Sequence, residues 1–333
     1  MGFIHQVVLG MWSILPGNYS GITHIHDNLY AVVDDKEQVD GFKYLTLEID
    51  SVKGKIRHAS MEEPMGMTKR RNGNTFTYRD CEGVAYFPEQ HTIFVTGEKD
   101  QRILEYTMEG NPTGRELQIP ECMNIEHITF NLGFEALSYN AVQQRFWTTT
   151  ESTLPADGPQ SSCRDTEVRN HLRLVAFDDS LRPVTSYVYC MDTPKEHSRK
   201  AISIHGVPSI IALDDGRLII MEREGCFPRK EYGSRVRIKL YMVDPKRATP
   251  VSLNTPMADV KEEMYLQKEL ITSFTTRLRI GKMNLANYEG MCLGPKLQDG
   301  RQTILLIADS QNGMGNWLYH LKDYMRLVAI PLE

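Results

Sequence analysis

The chain has 333 residues, with 38 Lys and Arg against 43 Asp and Glu for a net charge of −5, and it is 41% hydrophobic and 24% charged. That length holds one large domain or two ordinary ones, and the charge balance, with no Lys/Arg run long enough for a basic tail, gives no case for nucleic acid as a partner. No apolar stretch approaches the roughly 18–20 residues of a membrane-spanning helix.

The start, Met1-Gly2-Phe3-Ile4-His5, lacks the charged and apolar regions of an export leader. Two locations follow as expectations: cytoplasmic, or extracytoplasmic (periplasmic or secreted) if a leader has been removed. Gly2 is the residue type that carries N-myristoylation, but Gln6 stands where that signal has a hydroxyl residue. The cysteines Cys81, Cys122, Cys163, Cys190, Cys226 and Cys292 are scattered, without a C-x-x-C pair, which excludes a zinc site of the usual kind. One loop bridge, Cys163 to Cys226, is compatible with the spacing.

A short pattern then recurs along the chain. A residue precedes Gly or Ala and an apolar run in Ser20-Gly21-Ile22, Glu82-Gly83-Val84, Glu135-Ala136-Leu137, His205-Gly206-Val207 and Glu289-Gly290-Met291. Each opens a strand, a turn and a second strand. The pairs run Gly21–Ile25 with Leu29–Val33, Gly83–Phe87 with Thr92–Thr96, Ala136–Tyr139 with Arg145–Thr149, Val207–Leu213 with Arg217–Met221, and Gly290–Leu293 with Thr303–Ala308. Asn, Asp, Gly and Pro in the connections supply the backbone angles of tight reversals.

Two further strands follow most pairs: Tyr44–Ile49 and Gly54–Arg57, Arg102–Tyr106 and Glu116–Ile119, His171–Phe177 and Pro183–Tyr189, Val236–Val243 and Glu269–Phe274. Four antiparallel strands per unit make a propeller blade. The last unit has one later strand, Arg326–Ile330, and Phe3–Leu9 from the N-terminus completes it, removing an open edge. The fold class is therefore all-β, a β-propeller of five blades in a single domain spanning 1–333, with a sixth blade within 245–285 as the alternative. Successive openings are 62, 53, 70 and 84 residues apart, so long loops fill each repeat. Asp259–Lys268 is the best short helical candidate.

In a blade the start of strand one and the end of strand two meet at one rim. The strand-two ends read Asp34-Asp35-Lys36, Gly97-Glu98-Lys99, Glu151-Ser152, Glu222-Arg223-Glu224 and Asp309-Ser310-Gln311. Together with the openings they put carboxylates and cations on one face. Glu82, Glu135 and Glu289 are the candidate metal ligands, and Ca²⁺ is the expected ion because it takes oxygen donors. Lys99 and Arg223 are expected to act on an anionic substrate, with His205 moving a proton. Lys36, Glu98, Glu222 and Asp309 are the expected substrate-binding residues. His24 and His26 are further proton-transfer candidates, and Tyr19, Tyr86, Tyr139 and Tyr288 are expected to pack between blades. Ser20 and Ser138 lack a G-x-S-x-G elbow, and no Walker loop, dinucleotide fingerprint or H-E-x-x-H is present.

Asn18-Tyr-Ser-Gly-Ile22, Tyr30–Lys36, Asp80-Cys-Glu-Gly-Val-Ala85, Gly133–Leu137, Asp215–Leu218 with Met221-Glu-Arg223, and Asn287–Met291 resemble, in this order over nearly the whole chain, the phytase-like family with esterase-like activity. The resemblance implies a propeller, often exported in bacteria, and a hydrolase of phosphate or carboxylate esters acting on a small-molecule or phosphorylated substrate. Glu82, Glu135 and Glu289 match the family's E-G or E-A positions, whereas Ser20 and His205 depart from them, so a complete ring of carboxylates is not expected. Two other readings stay open: a ligand- or protein-binding propeller without catalysis, and a lactonase-like calcium propeller in which His24, His26 or His205 shuttles the proton.

Overall fold

Hairpins dominate the chain because short connections carry residues that accept left-handed backbone. Asp27, His91 and Gln144 have φ of 46°, 54° and 50°, and Gly216 has φ of 88°. The computed structural model describes residues 4–37, 39–68, 70–72, 75–314 and 320–330. Met1, Gly2 and Phe3 lie outside the described residues.

Strand β1 (Ile4–Val8) precedes β2 (Tyr19–His26), β3 (Leu29–Asp34), β4 (Val39–Asp50) and β5 (Lys55–Met61), with β6 (Met65–Thr68) pairing to β4 and a small hairpin of β7 (Arg70–Asn72) and β8 (Thr75–Thr77). The next sheet holds β9 (Cys81–Phe87), β10 (Thr92–Gly97), β11 (Arg102–Thr107) and β12 (Pro112–Glu116). The third holds β13 (Phe134–Asn140), β14 (Arg145–Thr150), β15 (His171–Phe177) and β16 (Pro183–Cys190). The fourth holds β17 (Ile202–Ala212), β18 (Leu218–Phe227), β19 (Arg235–Val243), β20 (Lys268–Arg279) and β21 (Lys282–Met283). The last holds β22 (Asn287–Leu293), β23 (Gln302–Asp309) and β24 (Tyr324–Ile330), and β1 completes it antiparallel to β24, Ile4 opposite Val328. The fold is a five-bladed β-propeller, and its first and last strands share one blade.

The second strands are buried along their length: all of β10 and β23, and all of β18 but Phe227. Covered on both faces, they read as apolar runs rather than as alternation. Packing divides the chain into two compact units: Met1–Val95, Glu105–Gly114 and Ala286–Glu333 in one, and Thr96–Leu104 and Arg115–Leu285 in the other. In the first, Tyr19, Tyr30, Leu45, Leu305 and Leu327 belong to one buried cluster. In the second, Trp147, Leu174, Tyr189, Ile220 and Val243 do.

Three local expectations are corrected. The fourth strand of the second blade is Pro112–Glu116 rather than Glu116–Ile119, although Leu117 still donates its N–H to the Ile103 carbonyl. Asp259–Lys268 is not a helix: it holds parts of two single-turn 3-10 helices, Met257–Asp259 and Glu262–Met264. Nor does 245–285 form a sixth blade. Val251 and Leu266 donate to the Ser186 and Val188 carbonyls of β16, so this loop spends its backbone on the edge of the third blade, and β20 is the fourth strand of the fourth.

Gly21 and Gly290 show why the opening pattern needs a minimal side chain. A Cβ on Gly21 would lie 2.3 Å from the Glu82 carbonyl oxygen, and one on Gly290 would lie 2.9 Å from the Gly21 Cα. Strands β2, β9 and β22 approach there backbone to backbone. Gly21→Ala is expected to cost about 3 kcal/mol in guanidinium unfolding through overpacking. Gly10→Ala, whose Cβ meets nothing nearer than 3.9 Å, is expected to stay within about 0.5 kcal/mol.

Candidate functional site

In three of the five openings the recurring pattern is a β-bulge. The register skips one residue between Tyr19 and Gly21, between Phe134 and Ala136, and between Tyr288 and Gly290. The extra residue is Ser20, Glu135 or Glu289, the position singled out by the repeat. A bulge leaves that residue out of the ladder and re-aims its side chain.

In the first unit, the bulge and the ends of β3, β9 and β23 gather acid. Asp35, Asp80 and Glu82 are buried, and each offers a carboxylate oxygen within 4.8 Å of the others. Burial pushes the Asp35 carboxyl up to about 6, with Glu289 adding to the rise and Lys36 and Asn18 opposing it. Asp309, 1% exposed, is raised well above the carboxylate range by burial, then by Glu289 and Asp35. Asn287 donates to Glu289 Oε1 at 2.8 Å and to Asp309 Oδ2 at 3.5 Å. Lys36 donates to Asp35 at 3.0 Å and to Gln311 at 3.4 Å. Burial opposes the Lys36 charge, but Asp35, Asp309 and Asp80 overcome it and raise the lysine's pKa.

The fully buried Asn18 lies near enough to Asp35 to favour its charged form, yet neither Oδ1 nor Nδ2 completes a hydrogen bond of ordinary geometry. An amide oxygen and carboxylates in one buried pocket are hard-cation donors, and the set contains no His or Cys. These residues fit a divalent cation of the calcium class.

In the second unit, the charged residues neutralise one another. Arg223, 2% exposed, donates to Glu151 at 2.8 Å and to Glu135 at 3.5 Å. Glu222 accepts from Tyr189 at 2.7 Å and from Lys268 at 2.6 Å. The 222–224 run does not end a strand as expected. β18 continues to Phe227 because Glu222 and Glu224 face Lys239 and Arg237 across the ladder, opposite charges that hold the pairing. Asp192 contacts Lys239, Lys268 at 2.9 Å and Tyr241 at 2.6 Å, and these bonds outweigh its burial and hold it below the usual carboxylate range.

His205 lies inside β17, opposite Glu224, rather than at a strand opening. Its Nδ1 meets the Ser161 hydroxyl at 2.5 Å, and burial, then Lys239, lowers its pKa to about 4, so it is neutral at pH 7. Glu98 accepts the Gly133 N–H at 3.1 Å, and Lys99 lies 4.1 Å from the Phe130 ring centre.

The structure thus brings Glu82, Glu289, Asp309 and Lys36 together in the first unit. Glu135, His205, Lys99, Arg223, Glu98 and Glu222 belong to the second. His24 and His26 are exposed at the hairpin end of β2, against Asp27. Sequence reasoning missed Asp80 as a member of the acidic cluster; its signal was the Asp-Cys-Glu spacing, two residues before Glu82 on the same chain segment. Asp35 was visible only as one of several polar strand ends.

The sequence matches the model of the family "Phytase-like: Esterase-like activity of phytase" over residues 15–311. The chain belongs to this phytase-like family. No curated protein matches it. Among solved structures, the GH62 α-L-arabinofuranosidase catalytic domain of Coprinopsis cinerea is similar at 10% identity and a TM-score of 0.45, over 98% of this chain and 96% of that one. The Podospora anserina α-L-arabinofuranosidase in complex with cellotriose gives 8% identity and a TM-score of 0.44, over 99% and 96%. A putative oxidoreductase (glucose dehydrogenase) from Thermus thermophilus gives 10% identity and a TM-score of 0.40, over 98% and 100%. No helix among the described residues is long and apolar enough to cross a membrane.

Asp35 holds its proton more tightly folded than unfolded, its pKa raised from 3.8 to about 6. Its contribution to stability is therefore full below about pH 4 and lost as pH rises through 6. In chelator-treated protein, Asp35→Asn is expected to raise stability at pH 7.5 by about 2 kcal/mol in urea titrations, and to change little at pH 4. Asp323, raised to about 6 mainly by burial, titrates over the same range, so some slope persists in the variant. Separately, Arg223→Met strands the buried Glu151 and is expected to cost about 3–5 kcal/mol, much of it recovered in Arg223→Met/Glu151→Leu.

Proposed function

We propose that this phytase-like protein is a metal-dependent hydrolase of phosphate or carboxylate esters, with Ca²⁺ held by Asp35, Asp80 and Glu82. The observation that carries the reading is the buried trio of carboxylates within 4.8 Å. Carboxylates held this close in a buried site repel one another, and Lys36, donating to Asp35 at 3.0 Å, offsets part of that repulsion. A divalent ion among oxygen donors offsets the repulsion. The family description, esterase-like activity of phytase, supports the reaction class.

When bound, such an ion polarises an ester oxygen or lowers the pKa of a water. The chain's own residues supply the rest. Lys36, with its side chain 49% exposed, is in reach of solvent and places a positive charge beside the acids, where it binds the substrate's anionic group. Asp309, its pKa raised by burial and then by Glu289 and Asp35, and Glu289 at its bulge form the second carboxyl pair and are the residues placed to move a proton. The Asn18 carbonyl accepts the Asp35 N–H at 3.1 Å and so fixes the Asp35 backbone. His205, neutral and bonded to Ser161, supports a positioning role within its own unit rather than the lactonase-like proton shuttle.

The test is calorimetric titration of Ca²⁺ into wild type, Asp80→Asn and Glu82→Gln, with turnover of p-nitrophenyl phosphate and p-nitrophenyl acetate measured with and without Ca²⁺. Binding by wild type, lost in both variants together with turnover, is the expected result. Ca²⁺ binding without turnover of either ester would favour a ligand-binding propeller, and no binding would remove the metal reading. Lys36→Met is expected to raise KM for the phosphate ester about tenfold with kcat nearly unchanged, and to leave the acetate ester unaffected.

A further inference from the structure

Cys163 and Cys226 are far apart in sequence and adjacent in the second unit. Together with Ala201 they form a small buried cluster, Cys163 at 1%, Ala201 at 1% and Cys226 at 3% exposure. The backbone sets this placement. Ser203 of β17 is the register partner of Cys226 in β18, and its Oγ accepts the Cys163 N–H at 2.7 Å. The loop is anchored a second time, since the Cys163 carbonyl accepts the Ser198 N–H at 2.7 Å and the Cys163 thiol donates to the Ser198 carbonyl at 3.3 Å. The two thiols therefore lie together in this buried cluster, in hydrogen-bonding contact. In the structure both are thiols.

We propose that Cys163 and Cys226 form a disulfide in the mature protein under oxidising conditions, fastening the loop before β15 to β18. The reaction is thiol–disulfide exchange with a small disulfide such as oxidised glutathione. One cysteine thiolate attacks a glutathione sulfur, and the glutathione S–S bond breaks to give a mixed disulfide. The second cysteine thiolate then displaces the remaining glutathione thiolate. Two thiol protons leave the protein, its two sulfurs are oxidised, and the oxidant is reduced to two glutathione thiols.

Burial, and after it the neighbouring Cys163, push the Cys226 thiol up to about 11. The folded Cys226 thiol is thus a poor nucleophile at neutral pH, and with both sulfurs buried exchange is fastest while the loop is still unpacked. The cross-link would hold in place the segment that carries Ser161, whose hydroxyl meets His205.

The experiment refolds the full chain in a glutathione redox buffer, blocks remaining thiols with iodoacetamide under denaturing conditions, and maps tryptic peptides without reduction. The expected result is one linked pair, the Cys163 peptide to the Cys226 peptide, with Cys81, Cys122, Cys190 and Cys292 alkylated. The oxidised protein should melt about 5 °C above the same protein in dithiothreitol. Cys163→Ser and Cys226→Ser should each melt alike in both buffers. Full alkylation of Cys163 and Cys226 after refolding in the oxidising buffer, or a link to another cysteine, would overturn the proposal. So would a link that leaves the melting temperature unchanged or lowers it.

Discussion

Buried like charge is the constraint on which the first unit depends. Asp35, Asp80 and Glu82 come together because glycine lets β2 and β9 approach at the backbone, and Glu289 comes beside them because a bulge turns it out of its ladder. The geometry that permits tight packing of the strands also forces the carboxylates into one another's field. Burial and this crowding raise the pKa of Asp35 and of Asp309, and Lys36 offsets part of the repulsion. Such a cluster costs stability unless something compensates it.

The second unit solves the same problem differently. Three of its buried acids meet a cation: Glu151 meets Arg223, Glu222 meets Lys268, and Glu224 meets Arg237. Arginine matches carboxylates with several fixed donors, so these pairs hold strand positions as well as charge. The polar run 222–224 therefore sits in the middle of a long strand without breaking it. Charge composition alone does not separate the two units, because both are rich in Glu and in basic residues. What separates them is the spacing of the buried carboxylates: Glu151, Glu222 and Glu224 each face a cation in the second, whereas Asp35, Asp80 and Glu82 share one pocket in the first.

Membership of the phytase-like family and the five-bladed fold narrow the function to a class. A propeller hosts many chemistries, so hydrolysis is supported by the donor set around Asp35 and by the family description rather than by the fold. His205 shows the same distinction at one residue. A neutral, buried histidine bonded to a serine has the chemistry of a proton acceptor, but its place within β17, among the paired charges of the second unit, ties it first to local structure.

Much of this was legible in the chain. Apolar runs bounded by turn residues marked the strands, because second strands buried on both faces need unbroken hydrophobicity. The repeated residue before Gly or Ala marked the bulges, because close backbone approach at Gly21 and Gly290 excludes a side chain. The leftover N-terminal strand marked the pairing of β1 with β24, because an open edge is costly. The grouping of the acids was not legible. Glu82, Glu135 and Glu289 look equivalent in sequence, yet Glu135 is claimed by Arg223 while Glu82 joins Asp35 and Asp80. The extended Glu222–Glu224 strand and the loop laid along β16 were hidden for the same reason, since cross-strand charge pairs and edge hydrogen bonds leave no periodic trace. The sequence by itself determined most of the strands and their turns, which are set by local periodicity and backbone sterics. Only the tertiary structure decided which carboxylates share a pocket and which are neutralised, because electrostatic partnership depends on distance in space and not along the chain.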